Sequence, residues 1–252
     1  MENNKALFEY ILRIADNALI LGHRVSEWCG HGPSLETDIG LTNIALDLVG
    51  HARVLLQYAA KVEGKGRTDD ALAFTRDTRE FKNVLLVEQA NGNFADTMAR
   101  QFLFDTFNYH FFAALCDSKD EELVAIAKKS LKELTYHYRY SAEWVIRLGD
   151  GTEESHEKMQ TALNEAWDYV GELFAMDEID QQMIQLGIGV DLNAVKELWN
   201  ERVDAILTEA TLAKPEDGWM QKGGKQGKHS EQMGFILTEM QWMQRAYPGL
   251  EW

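Results

Sequence analysis

The stretch LETDIGLTNIALDLVGHARVLLQYAAKV (residues 35–62) decides the fold class, because its apolar residues recur at helical spacing and predict one long helix. Ser34 stands directly before it and can cap its first turn. The chain has only three prolines, and none of them lies between residues 34 and 214. Since proline breaks helix interiors, and strand-rich proteins place it in turns and edges, this long proline-free stretch favours helix.

The same spacing predicts helices along the rest of the chain. Further segments with helical periodicity cover residues 6–28, 78–89, 94–116, 120–148, 152–176, 191–211 and 229–246. No alternating run of useful length and no two-residue hairpin turn predicts a strand. No linker, repeat or low-complexity tract interrupts the pattern. We therefore predict a single all-α domain over residues 1–252, a bundle of long helices with additional C-terminal helices.

Composition and charge exclude several classes of function. The sequence is 45% hydrophobic, and its formal net charge of −16 argues against nucleic acid or an anionic membrane as a partner. Its two cysteines are too few for a disulfide framework. The start, MENNKALFEY, lacks the features of a signal peptide. No apolar run approaches the roughly 18 residues that span a bilayer, so we expect a cytoplasmic protein.

Polar residues at helical spacing suggest a metal site in the bundle. Asp47 and His51 are four residues apart in the second predicted helix, and Glu133 and His137 have the same spacing in the 120–148 helix. The second helix also carries Asn43, and these polar residues stand among Ile44, Leu46, Leu48 and Val49. Other predicted helices offer acids at Asp16, Asp96 and Asp105. One carboxylate from each of four helices, with two histidines, is the layout of a ferritin-like di-iron bundle.

The spacing departs from that layout in its details. Di-iron helices carry Glu and His three residues apart, and here Gly50 and Tyr136 occupy those positions. The sole Glu-x-x-His, at Glu153, lies in the first turn of a helix, where acids are expected for other reasons. We interpret Asp47, His51, Glu133 and His137 as degenerate positions of a former metal site, held in hydrogen-bond and ion-pair networks. The alternatives are an intact di-iron site or positions that are not buried.

A glycine-rich basic segment, QKGGKQGKHSEQMG (221–234), opens the last predicted helix. Its positive residues are Lys222, Lys225, Lys228 and His229. Glycine-rich turns before helices can bind phosphate, so the segment is a possible contact for a partner or for the phosphates of CoA. The alternative is a solvated loop, or a loop tied to acidic helices of the same chain.

Four segments of the sequence closely resemble one known family. They are EWCGHGPSLETDIGLTNIALDLVGHAR, LAFTRDTREFKNVLLVEQANGNFADTMARQF, YHYRYSAEWVIRLGDGTEESHEKMQ and GGKQGKHSEQMGFILTEMQWMQRAYPG. The family is that of the C-type subunit of the bacterial phenylacetyl-CoA 1,2-epoxidase, also called phenylacetate-CoA oxygenase. The resemblance runs nearly from end to end.

The resemblance implies a ferritin-like helical subunit that pairs with a catalytic partner, the A-type subunit. In that family the catalytic partner carries the non-haem di-iron centre and oxidises the aromatic ring of phenylacetyl-CoA with O2, using electrons passed by a reductase from NADPH. The C-type subunit is regarded as structural, without a working di-iron site. We therefore expect a non-catalytic member of a hetero-oligomer that binds no cofactor itself. The rival interpretations are a di-iron oxygenase in its own right and a ferritin-like iron store.

Aromatic residues offer a hint about the partner surface. The segment FLFDTFNYHFF (102–112) carries aromatic residues on more than one side of its predicted helix. Because a bundle core takes one face of a helix, we expect some of them to be left for a partner. The alternative is that the helices after residue 152 cover them within the same chain.

Overall fold

The computed structural model describes residues 2–249, which form helices and contain no strand. The ten α-helices of this range are α1 (Glu2–Ser26), α2 (Leu35–Glu63), α3 (Asp69–Phe74), α4 (Leu85–Glu88), α5 (Phe94–Leu115), α6 (Glu121–Gly149), α7 (Glu153–Trp167), α8 (Glu178–Gln185), α9 (Leu192–Glu209) and α10 (Glu231–Ala246). Short 3₁₀ turns lie at Thr78–Glu80, Val170–Phe174 and Gly224–Gln226.

The long helices follow the sequence pattern, and their ends have the expected caps. The Ser34 hydroxyl accepts the backbone N–H of Thr37 at 3.3 Å and so caps α2. At its other end Gly64 adopts the left-handed conformation, with φ of 67°. These caps set the length of α2 at 29 residues.

Shorter elements differ from the prediction. The helix predicted over 78–89 is a 3₁₀ turn followed by the four-residue α4, with extended residues between them. The helix predicted over 152–176 is α7, which ends at Trp167 and is followed by a 3₁₀ turn. Helices α3 and α8, of six and eight residues, were not predicted, because so few residues do not establish a helical period.

The chain divides into two compact units. The first unit comprises the residues up to Ala90 together with those from Gly223 onward, and the second unit comprises Asn91–Lys222. The prediction of one domain over residues 1–252 stays a prediction.

In the first unit α1 and α2 pack closely against each other. A Cβ atom on Gly22 of α1 would lie 3.1 Å from Val49 Cγ2 and 3.3 Å from the Val49 backbone nitrogen of α2. Glycine therefore permits this close approach of the two helices. The core between them is aliphatic and includes the fully buried Ile11, Leu21, Leu41 and Leu48.

In the second unit α5 is buried on nearly all sides. Trp199 of α9 donates its indole N–H to the Leu103 carbonyl at 2.9 Å. The ring of Phe174 lies 5.7 Å from that of Phe107 and 5.3 Å from that of Trp199. The expectation that aromatic residues of 102–112 remain for a partner is therefore wrong for Phe107, because an element after residue 152 covers its ring within the same unit.

Candidate functional site

Two of the four candidate metal-site positions lie in each unit. Asp47 and His51 lie on α2 in the first unit, and Glu133 and His137 lie on α6 in the second. Both histidines are buried, whereas Asp47 and Glu133 are half-buried. Each four-residue step advances about 40° around a helix, so an i, i+4 series crosses from the surface towards the interior.

No metal centre is assembled in the described residues. Within the range 2–249, no group of three or more His, Cys, Asp or Glu side chains is placed to hold a metal ion. Gly50 occupies the i+3 position of α2 with no side chain to offer, and Tyr136 occupies that of α6. The residues present therefore do not fit a di-iron centre.

The acid of α1 is engaged in a buried ion pair in the first unit. Asp16 is fully buried, and both its oxygens accept hydrogen bonds from the Arg76 guanidinium, one of them at 2.9 Å. The Lys82 backbone N–H also donates to Asp16 at 2.8 Å. The Arg76 guanidinium lies 4.1 Å from the centre of the Phe81 ring, a cation–π contact. Asp16 is therefore held by protein donors rather than left open for a metal.

A second buried ion pair in the first unit joins Glu88 of α4 to His229. His229 Nδ1 lies 2.7 Å from Glu88 Oε2, and both side chains are fully buried. The Ser230 backbone N–H donates to Glu88 Oε1 at 2.7 Å, and the Asn83 amide donates to Oε2 at 2.9 Å. We call Glu88, His229, Asn83 and Ser230 the Glu88 cluster. It leaves His229 enclosed by its own chain.

Both nitrogens of the His229 ring face acceptors. Nε2 lies 3.0 Å from the Phe81 carbonyl oxygen, which can only accept, so Nε2 carries a proton. Burial by itself lowers the pKa of His229. The hydrogen bond and charge of Glu88, the Phe81 carbonyl and the charge of Asp16 outweigh burial and raise the pKa above its ordinary value. His229 thus favours the imidazolium form, paired with Glu88.

The basic residues of the predicted contact loop differ in their exposure. Lys222 and Lys228 are exposed, but Lys225 and the His229 side chain are buried. The glycines serve packing: a Cβ on Gly224 would overlap with the Asn83 carbonyl oxygen. A Cβ on Gly227 would similarly overlap with a backbone oxygen, that of Arg79. The segment from residue 223 packs against its own unit, and of the four basic residues of the predicted contact loop Lys222 and Lys228 are exposed. A role of this loop in binding a partner or phosphate stays a prediction.

The second unit contains a different polar cluster, in which an acid is buried without hydrogen bonds. Asp105 of α5 is 1% exposed, and neither of its carboxyl oxygens has a hydrogen-bond partner. It lies near His137 and Ser141 of α6 and near Arg100. We call these four residues the Asp105 cluster. The Ser141 hydroxyl donates to the His137 carbonyl at 3.0 Å.

Burial dominates the electrostatics of the Asp105 cluster. It raises the pKa of Asp105 to about 6 from an ordinary value of 3.8, although His137, Ser141 and Arg100 all act to lower it. Gln101, one turn earlier on α5, is also buried, and its amide has no hydrogen-bond partner. The sequence pattern included Asp105 as a possible ligand but gave no sign that its carboxyl group would lack donors.

The outer face of α2 is apolar and exposed. Leu35, Ile39, Leu46 and Val49 are exposed by 73%, 52%, 66% and 39%. Leu35, Ile39 and Leu46 lie opposite the face that packs in the first unit, and Val49 lies at the edge between the two faces, where it also meets Gly22 of α1. Leu46 and Val49 therefore do not line the core with Ile44 and Leu48, although the sequence places all four together.

By length and composition, α2 is also the one helix of the described range that could cross a membrane. Its hydropathy is 1.3 over an 18-residue window, of which 50% is buried inside the structure. The expectation that no apolar run approaches this length is therefore corrected. A core helix of a soluble protein passes the same test, so one such helix is weak evidence for a membrane span.

Comparisons with known proteins identify the family. The model of the family described as phenylacetic acid catabolic protein matches residues 1–252. A relative from Escherichia coli (strain K12), named as the C subunit of 1,2-phenylacetyl-CoA epoxidase, is 49% identical over 246 residues, which cover 98% of this chain and 99% of the relative. The family has a ferritin-like fold, which confirms the predicted fold class. The chain belongs to the phenylacetic acid catabolic protein family.

Proposed function

We propose that the chain is a non-catalytic, structural subunit of a 1,2-phenylacetyl-CoA epoxidase, and that it pairs with and stabilises the di-iron catalytic subunit of that enzyme. The relative named as the C subunit of 1,2-phenylacetyl-CoA epoxidase supports the proposal, because the match extends over almost the whole of both chains. The pairing itself is an inference from the resemblance and from the surface of the chain.

The ion pair between Asp16 and Arg76 is the observation that carries the non-catalytic role. A ferritin-like di-iron bundle requires a carboxylate from each of four helices, and on α1 that acid is bound by a buried guanidinium. Freeing Asp16 for a metal would leave the Arg76 charge buried without its partner, which costs about 3–5 kcal/mol. Together with Gly50, this makes a di-iron centre unfavourable in this chain.

The proposal assigns the cofactor to the partner. The chain itself binds no metal, and the non-haem di-iron centre belongs to the catalytic subunit. Binding of a folded subunit stabilises its partner by mass action, which is how a chain without chemistry of its own supports activity. We expect the assembly to be a cytoplasmic hetero-oligomer without nucleic-acid or membrane partners, in keeping with the net charge of −16.

One observation favours a second candidate, a di-iron oxygenase active in its own right. Asp105 and His137 are buried close together in the second unit, and the Asp105 carboxyl group has no hydrogen-bond donor. A carboxylate and an imidazole are ordinary iron ligands. This pair falls well short of the four carboxylates and two histidines that such bundles use. The iron content of the purified chain therefore distinguishes a di-iron oxygenase from a structural subunit.

Elemental analysis of the chain expressed alone in iron-supplemented medium separates the two candidates. We expect substoichiometric iron and no charge-transfer absorption in the visible range. In parallel, the catalytic subunit is expressed with and without this chain, with an unrelated soluble protein at the same level as the control. A rise in the yield of soluble, thermally stable catalytic subunit supports the structural role. Two iron ions per chain would establish the di-iron enzyme instead.

A further inference from the structure

We propose that the outer face of α2, formed by Leu35, Ile39, Leu46, Val49 and Gly50, docks a helix of another subunit of the epoxidase. The docked helix carries an apolar stripe bordered by Lys or Arg residues. This inference rests on the proposed function, because it requires a partner subunit, and it adds the surface and the chemistry of the contact.

A comparison with α6 shows how unusual this face is within the chain. Both helices have 29 residues. The exposed side of α6 is mainly charged and includes Lys128, Lys129, Lys132, Arg139, Glu143 and Arg147. On α2 the exposed side carries four large apolar residues over about 21 Å at 1.5 Å per residue from Leu35 to Val49. The half-buried Thr42 and the exposed Asn43 lie between Ile39 and Leu46 on the same side. Exposed apolar side chains that are grouped on one face in this way mark interaction sites more often than isolated ones do.

Gly50 provides a second, independent observation. It lies in the interior of α2, is exposed, and a Cβ atom added to it would meet no atom within 4 Å. Glycine in a helix interior is unfavourable relative to alanine, and no atom of residues 2–249 outside the helix's own backbone approaches Gly50 closely enough to require it. A glycine beside exposed Leu46 and Val49 suits the close approach of a second helix, as Gly22 does inside the first unit.

The charges around this face select the occupant. Glu36, Asp38 and Asp47 border the apolar stripe, and the chain as a whole has a net charge of −16. The exposed Arg53 at the end of the stripe is paired with Asp69 at 3.5 Å. An anionic lipid surface and a second copy of this chain would both be repelled. A helix with basic residues beside its apolar stripe is complementary to this border and is also attracted over distance. We therefore assign the face to a different, basic-bordered subunit.

Binding of the purified chain to the immobilised catalytic subunit tests the assignment. Leu46→Asp is expected to weaken the affinity at least about tenfold, as for a central interface residue. The matched control is Leu198→Asp on α9, which replaces another exposed leucine, 49% accessible. This variant should change the affinity less than about twofold. Association of the unmodified chain should slow as salt is raised, because opposite charges steer the encounter.

Gly50→Leu should affect folding stability and partner binding in opposite directions. The substitution should leave the melting temperature of the isolated chain unchanged or higher, since leucine favours helix and open space is available. The same variant should bind at least about tenfold more weakly to the catalytic subunit, because its side chain occupies the path of the docked helix. Loss of binding without loss of folding separates an interface role from a structural one.

The remaining outcomes each decide a different point. Failure of the unmodified chain to bind the catalytic subunit would overturn both the proposed function and this inference. Normal binding by the unmodified chain, Leu46→Asp and Gly50→Leu alike would overturn only the α2 assignment. Self-association in sedimentation equilibrium that Leu46→Asp abolishes, or binding to phosphatidylglycerol vesicles that it abolishes, would assign the face to a second copy or to a membrane.

Discussion

The Glu88 cluster and the Asp105 cluster bury an acid in two different ways. In the first unit Glu88 is held by an imidazole, an amide and a backbone N–H, with distances between 2.7 and 2.9 Å. In the second unit Asp105 is equally inaccessible, but no hydrogen bond reaches its carboxyl oxygens. A buried acid near a histidine can therefore belong either to a hydrogen-bonded ion pair or to a carboxyl group without hydrogen bonds.

The difference shows what each acid contributes to the fold. Glu88 has the partners that offset the loss of hydration, so it can fix the segment that carries His229. Asp105 lacks such partners, and burial raises its pKa to about 6. The first acid is a structural element of its unit, whereas the second favours its neutral form more strongly than an ordinary aspartate.

Replacing Glu88 should have the largest effect on stability. Glu88→Ala leaves the His229 charge and the Ser230 N–H buried without their partner, so we expect a loss of about 3–5 kcal/mol in the free energy of unfolding. Urea denaturation measures it. The control is Glu239→Ala, on the exposed side of α10, for which a change within about 0.5 kcal/mol is expected. Equal losses would contradict the special role of Glu88.

Replacing Asp105 should raise the free energy of unfolding at alkaline pH, whereas replacing Glu88 should lower it. The pKa of about 6 in the folded chain lies above the ordinary 3.8, so the folded state holds the proton more tightly. Stability from this group is present below about pH 3.8 and is lost as the pH rises through 6. At pH 8 this loss amounts to as much as about 3 kcal/mol, at 1.36 kcal/mol per pKa unit.

Asp105→Asn removes that dependence, because the amide does not titrate. We expect the variant to be more stable than the unmodified chain at pH 8, with a difference that shrinks as the pH falls towards 4. Thermal unfolding across this range measures it, and the pH series is its own control. A variant that is less stable at pH 8 would show that the Asp105 carboxylate has favourable partners after all.

Filling the space at Gly224 should have a smaller effect. A Cβ there would overlap with the Asn83 carbonyl oxygen, so Gly224→Ala forces the segment away from the Glu88 cluster and costs about 1–3 kcal/mol. The matched control is Gly218→Ala, where a Cβ meets nothing within 4 Å. Thermal unfolding of both variants measures the difference, and equal melting temperatures would contradict the packing role of Gly224.

The smallest expected effect is the pH dependence of the Glu88 cluster. The pKa of His229 is raised above 6.5 in the folded chain, so its contribution is fully present below 6.5 and is lost as the pH rises through the raised value. Amide exchange, corrected for the intrinsic effect of pH, should therefore show weaker protection of residues 223–230 at high pH. In His229→Gln this change should disappear. An unchanged dependence in the variant would assign it to another group.

Apolar periodicity is sufficient to predict the long helices, but not which side of each helix is buried. α2, α5 and α6 lie close to their predicted ranges because each has many turns of apolar repeat. On α2, however, apolar residues occupy both faces, so the pattern did not distinguish the buried Leu48 from the exposed Leu46. Facing depends on which neighbour packs against the helix, and the periodicity of one segment does not contain that information.

The candidate site was less predictable than the fold, because its partners are distant in sequence. The glycine-rich basic segment points to His229, but Glu88 lies 141 positions away at the end of an apolar run, where the pattern does not mark it. Asp16 and Arg76 are separated by 60 positions. Glycines in 221–234 suggested a phosphate loop, whereas the positions of the Asn83 and Arg79 carbonyls explain Gly224 and Gly227 by packing.

The most direct test of the non-catalytic role is a titration of the catalytic subunit with this chain, measuring O2-dependent conversion of phenylacetyl-CoA with the reductase present. We predict no turnover by this chain alone, little by the isolated catalytic subunit, and a rise that saturates near equal amounts of the two. Turnover by this chain without its catalytic partner, or full activity of that partner without this chain, would contradict the structural role.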